Sequence, residues 1–139
     1  MAESTPERVV TGMMSRDEFS RWLGINVDAV AAGSCTVSMV VRDEMLNGFG
    51  IAHGGILYAL ADSALAFAAN SHGRIAVALS NSMSYPASVS SGDRVRATCT
   101  ELVRTRSTAT YDVKILDQAD RVVGLFRGMV YLKKETHSE

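Results

Sequence analysis

The segment from Gly54 to Asn70 constrains this 139-residue chain more than any other. It reads GGILYALADSALAFAAN, rich in alanine and leucine, poor in β-branched residues, with Asp62 as its one charged side chain. That composition favours helix over strand, and Gly73 stands a few residues past the end as a terminator. At 17 residues it falls short of a membrane span, which wants about 20 strongly apolar ones. A helix apolar nearly all round has to be covered nearly all round. The rest of the chain must wrap it.

Strands for the wrapping can be read on both sides. Ile25 to Ala32 and Ser34 to Arg42 read as two strands joined near Ala32-Gly33. In the second, Cys35, Val37, Met39 and Val41 alternate with Thr36, Ser38, Val40 and Arg42, as a half-buried strand requires. Glu44 to Ala52 reads as a loop. Beyond the helix, Ile75 to Tyr85, Arg94 to Val103, Thr108 to Leu116 and Val122 to Lys133 read as strands. The clearest turns are Ser91-Gly92-Asp93 and Asp117-Gln118-Ala119-Asp120. Near the start, Ser15 and Glu18 make a capping-box pattern for a short helix with Phe19, Trp22 and Leu23 as its buried side, stopped at Gly24. Residues 1–14 are expected to form a loose polar tail with no signal-peptide pattern. The sum is one α+β domain over residues 1–139, a largely antiparallel sheet curled round one helix.

Charge and cysteine usage exclude several functions. Lys+Arg number 14 against 15 Asp+Glu, with no dense basic run, so a nucleic-acid surface is not expected. Cys35 and Cys99 stand far apart, outside any metal-ligand spacing, and read as buried small hydrophobes of a reducing, cytoplasmic compartment. His53, His72 and His137 show no ligand spacing, and no metal is expected.

Three features carry possible chemistry. Asp62 is alone in an apolar helix, and an unpaired buried carboxylate is costly. It either bonds a neighbouring loop or serves as general base or nucleophile with its pKa raised. His53-Gly54-Gly55 opens the helix, where the first amides lack internal partners and carry the positive end of the dipole. Two glycines leave those N–H groups open to an oxyanion, unless this is a plain loop-to-helix junction. No Ser, Thr or Asp stands at the N-cap to take them. Asn47 either bonds a water or is an ordinary turn residue.

In order along the chain stand Asn47-Gly48-x-Gly50-x-x-His53-Gly54-Gly55, Leu60-Ala61-Asp62, Asn70-Ser71-x-Gly73, Gly92-Asp93, Tyr111-Asp112 and Leu125-Phe126-Arg127-Gly128. From Trp22 to Lys133 this pattern resembles the hotdog-fold acyl-CoA thioesterases, nearest the PaaI group of phenylacetate-pathway thioesterases. The resemblance implies a helix wrapped in a curved sheet, with Asp62 as catalytic carboxylate and the Gly54 amide, supported by Gly55, holding the oxyanion. It implies that Asn47 and His53 organise the site, and that the substrate is an acyl-CoA, phenylacetyl- or hydroxyphenylacetyl-CoA among the candidates. No separate cofactor follows, since coenzyme A is part of the substrate. Two positions depart from the pattern: Ser88 replaces a proline common before the Gly-Asp turn, and Ala78 stands where some relatives carry a helper serine.

Gly54 and Asp62 lie eight residues apart, roughly 12 Å along a helix. A thioester needs its oxygen and its carbon each about 3 Å from their partners, so one helix cannot supply both. Either this is not an active site or Gly54 of one chain faces Asp62 of another. The resemblance implies the second, in a homodimer or homotetramer. Arg104-Thr105-Arg106-Ser107, at a strand turn, matches positions where relatives contact coenzyme A, although an exposed hairpin kept soluble by charge reads equally well. Tyr58, Phe67 and the methionines suit either an acyl pocket or the core. Two other functions fit the fold less well. A non-catalytic acyl-CoA-binding or regulatory module has no need of Asp62, and a hydroxyacyl-thioester dehydratase does not suit Gly-Gly after His53.

Overall fold

A computed structural model describes residues 3–138 of the chain. Helices α1 (Thr5–Arg16) and α2 (Glu18–Leu23) precede strands β1 (Asn26–Ala31) and β2 (Ser34–Val40). A 3-10 turn at Asp43–Met45 and a loop lead into the central helix α3 (Gly54–Asn70). Strands β3 (Arg74–Ser84), β4 (Arg94–Arg104), β5 (Thr108–Leu116) and β6 (Val122–Thr136) follow. All six strands join one sheet in the order β1-β2-β4-β5-β6-β3, every neighbouring pair antiparallel. This is the α+β hotdog architecture, with α3 in the hollow of the curved sheet.

The period-2 pattern works as expected. Cys35, Val37 and Met39 of β2, Val95, Ala97 and Cys99 of β4, and Val113 and Ile115 of β5 face inward and are buried against Leu60, Ala61, Ala64, Leu65 and Ala68 of α3. Truncating Leu60 or Leu65 to alanine at such a site costs about 2–5 kcal/mol, so these contacts hold the helix in place. The conspicuous Asn70-Ser71 pair is structural. Asn70 Oδ1 accepts from the Ala76 N–H at 2.9 Å, and Ser71 Oγ accepts from the Gly33 N–H at 2.8 Å. Together they tie the end of α3 to β3 and to the β1–β2 turn.

Covering of α3 is incomplete on one side. Tyr58, Ala59, Asp62, Ser63 and Ala66, at helical spacing, form a half-buried stripe. Strand β3 ends the sheet with a free edge, and Val77 and Leu79 on it are 42% and 56% exposed. A long edge carrying apolar side chains is a surface that invites pairing.

The beginning of the chain departs from its expected form. Instead of a tail, most of residues 1–14 lie in α1, which starts with a full capping box between Ser4 and Glu7, with Pro6 in the first turn. Val9 and Val10 are buried, and Met13 and Met14 pack against the core, which orders the helix despite its polar average. Ser15 belongs to α1, and the cap of α2 is Asp17, which accepts from the Ser20 N–H at 2.9 Å. On α2 only Leu23 of the three expected apolar residues is buried. Phe19 and Trp22 are 55% and 52% exposed and stack on each other, with the Arg42 guanidinium 5.2 Å from the Trp22 ring centre. A six-residue helix has room for one buried corner, and Gly24 in the left-handed conformation ends it there.

Candidate active site

Asp62 lies mid-helix on the half-buried stripe of α3. Burial pushes its carboxyl above the usual carboxylate range and nearby Asp17 adds to this, while a hydrogen bond from Asn81 opposes it; the net direction is up. Asn81 Nδ2 donates to Asp62 Oδ1 at 3.2 Å, and no side chain among the described residues donates to Oδ2. Ser20 stands beside this group, bonding Asp17 and, at 2.8 Å, Ser63. A carboxylate with one anchored oxygen and a raised pKa is suited to accept a proton near neutral pH.

Asn81 was not apparent from the sequence. Simple alternation from Ala76 would turn Ala78 and Ser80 inward and Asn81 outward. A β-bulge between Ala78 and Ser80 inserts one residue, so Asn81 pairs with Gly128 on the inner face. Bulges re-aim side chains in this way, and no local sequence signal marks this one.

The other pole is the start of α3. His53 is the N-cap, and its Nδ1 accepts from the Gly55 N–H at 2.8 Å. That bond puts the ring proton on Nε2. It also engages Gly55, so the expected support of an oxyanion by the Gly55 amide does not fit this geometry; the sequence suggested an open N-terminus because histidine is an uncommon cap. The Gly54 N–H has no acceptor among the described residues. Tyr85 frames this position: its hydroxyl donates to the Gly54 carbonyl at 2.9 Å, and a Cβ on Gly54 would come within 3.2 Å of its ring. A cavity of about 340 Å³ opens beside it, lined by Asn47, Gly54, Leu57, Tyr85 and the following loop, Ser88 included. Asn47 holds the approach to the helix: its Oδ1 accepts from the Phe49 N–H at 2.9 Å and the Ile51 N–H at 3.4 Å. Asn47, His53 and Gly54 therefore come together, while Asp62 stands two turns away along the same unbroken helix.

The β4–β5 hairpin divides in its roles. Arg104 turns inward, 3.9 Å from Glu101, where Tyr111 donates to Glu101 at 2.7 Å and His72 meets it at 2.9 Å. Burial raises the Glu101 carboxyl, but these bonds and the cations outweigh it and hold it below the usual range. The Thr105 hydroxyl closes the turn with Thr108. Arg106 and Ser107 instead line a cavity of about 390 Å³ with Arg74, Tyr131, Leu132 and Lys134. Arg74 is itself held by the carbonyls of Lys133, Arg106 and Leu132.

Comparison with known proteins agrees with this architecture. Residues 49–124, more than half of the chain, match the thioesterase superfamily model. The chain is 37% identical over 116 residues to the acyl-coenzyme A thioesterase PaaI of Escherichia coli, covering 84% of this chain and 83% of that one. It is 35% identical over 129 residues to a putative esterase of Archaeoglobus fulgidus, covering 93% and 84%. The solved structure of the E. coli PaaI protein from the phenylacetic acid degradation operon superposes with a TM-score of 0.94 at 33% identity, covering 96% of this chain and 97% of that one.

Proposed function

This chain belongs to the hotdog-fold thioesterase superfamily, closely related to the PaaI group, and we propose that it hydrolyses an acyl-CoA thioester to the free acid and coenzyme A at sites shared between two copies. The observation that carries the reading is the division of labour along α3. An amide unengaged among the described residues, Gly54 N–H, stands at the positive end of the helix, and a carboxylate with a raised pKa stands about 12 Å away. Two such helices side by side and antiparallel bring the amide of one to the carboxylate of the other. The half-buried stripe bearing Asp62 and the free apolar edge of β3 both favour that assembly, because pairing covers them together.

In the composite site the thioester oxygen accepts from the Gly54 N–H, which the His53 cap leaves open while it engages the next amide. Asp62 of the other chain takes a proton from water as the water oxygen bonds to the carbonyl carbon. The tetrahedral oxyanion collapses, the carbon–sulfur bond breaks, and the proton passes to the leaving sulfur. Direct attack by the carboxylate, through an anhydride that water then opens, uses the same groups. Tyr58, one turn before Asp62, meets Phe126 edge-on at 5.4 Å between ring centres, with Met83 opposite Phe126 on β3. Phe126 is buried and Tyr58 half-buried, and the open part of the Tyr58 ring suits packing against a flat acyl group such as phenylacetyl or hydroxyphenylacetyl. Phe67 and Met39, by contrast, are fully buried core. Arg106, with Arg74 and Lys134 around the same cavity, suits the phosphates of coenzyme A.

The test is release of free thiol from a panel running from acetyl- through medium-chain to phenylacetyl- and hydroxyphenylacetyl-CoA. Turnover that favours the aryl esters supports the whole reading. Turnover favouring straight chains removes the aryl assignment, and none on any member removes the thioesterase.

A further inference from the structure

Asn81 is placed by the register of β3 and by the room left for it opposite. The bulge after Ala78 turns it inward, and its register partner on β6 is Gly128. A Cβ at Gly128 would lie 2.6 Å from Asn81 Oδ1 and 2.6 Å from Leu65 Cδ2, so only glycine leaves room for the amide against α3. In that room Asn81 Oδ1 is buried with no hydrogen-bond partner among the described residues, while Nδ2 faces Asp62. Orphaning a buried acceptor is costly, and the reversed amide would set its carbonyl against the carboxylate. A charged Asp62 favours the orientation with Nδ2 toward it.

We propose that Asn81 is a positioning residue for the hydrolysis: its N–H anchors one oxygen of Asp62 and leaves the other, Oδ2, as the oxygen that meets water or the thioester carbon. This rests on the reading of Asp62 as the catalytic carboxylate and adds what aims it. Without the donor the carboxylate turns about its side-chain torsions, its reactive oxygen is less well placed, and its charged form loses a stabilising partner.

The experiment is the pH dependence of kcat and KM for the best acyl-CoA substrate in the wild type, Asn81→Ala, Asn81→Asp and Asp62→Asn. In Asn81→Ala, kcat falls about ten- to hundredfold, the scale of a lost hydrogen bond to a charged group, with KM nearly unchanged. The acid limb of the kcat profile moves to higher pH. Asn81→Asp has the same shape and moves the limb further the same way, since two carboxylates then share the site. A structural role alone would lower the folded fraction and leave the limb in place. An unmoved limb in a folded Asn81→Ala overturns the proposal, and if that variant does not fold, an unmoved limb in Asn81→Asp does so. Activity retained in Asp62→Asn removes the catalytic carboxylate and Asn81's role with it. A dead Asp62→Asn beside unmoved Asn81 profiles removes the role of Asn81 alone.

Discussion

Asn81 on β3 donates its side-chain N–H to Asp62 Oδ1 on α3 at 3.2 Å, and this is the one side-chain hydrogen bond to that carboxylate among the described residues. It only partly offsets the burial and the neighbouring Asp17 that raise the Asp62 pKa. The group is thus held at some cost in stability, a common arrangement where a carboxylate works as a base.

Replacing Asp62 by asparagine should separate activity from stability. Turnover should fall by at least about a hundredfold while acyl-CoA binding persists. Stability should rise at neutral pH, because a carboxyl whose pKa is higher in the folded than in the unfolded chain destabilises the fold once both states have ionised. That penalty is full above the folded pKa and absent below the unfolded one, so the Tm gain should shrink as pH falls through this window. Thermal melts of both proteins between neutral and acid pH check the sign.

Tyr111→Phe should destabilise by about 1–3 kcal/mol at neutral pH without touching the catalytic groups, since it removes a buried hydroxyl that donates to the Glu101 carboxylate. Glu101 is held below the usual carboxylate range, so its contribution is present above the unfolded pKa and lost as pH falls through the folded one. Urea unfolding at two pH values should show the mutational cost shrinking in acid.

Arg106 and Arg104 should behave differently. Arg106→Ala should raise KM for coenzyme A esters roughly tenfold with kcat little changed, and leave turnover of short pantetheine thioesters unaltered. Arg104→Ala should lower stability and affect both substrate types alike, because its guanidinium faces Glu101. Steady-state kinetics on the two thioester types, with a melt of each variant, check the pair.

How much of this was legible in the sequence depended on whether the signal was local. The alanine-rich stretch around Asp62 announced a helix, and the alternation Cys35, Val37, Met39 announced a strand, because helical and strand periods are written in neighbouring residues. The order of strands, with β3 at the edge beyond β6, comes from long-range pairing that no segment encodes alone. The helix at Thr5–Arg16 was concealed by its polar average, although Val9, Val10, Met13 and Met14 share one face. At the site, Asp62 and Gly54 stood out by chemical type in an apolar context. Asn81 did not, since an extra residue in β3 reverses the inward phase. The state of Gly55 depended on a histidine acting as cap, and that of Arg104 on a partner three residues away competing with solvent.

The shared site is tested most directly by complementation. Gly54→Pro should fold, because Gly54 is the first helical residue and His53 before it is already extended, at φ −62° and ψ 135°, as a residue preceding proline must be. It removes the N–H of Gly54 and no other backbone bond, and its Cβ, 3.2 Å from the Tyr85 ring, requires that exposed side chain to give by a few tenths of an ångström. Gly54→Pro and Asp62→Asn should each be inactive alone. When an equal mixture is unfolded and refolded together, about half the dimers are mixed, and each carries one site with both lesions and one with neither. Activity should return to about a quarter of wild type. If both residues acted within one chain, every site would keep a lesion. A refolded mixture shown to contain mixed dimers yet giving no turnover would contradict the shared site.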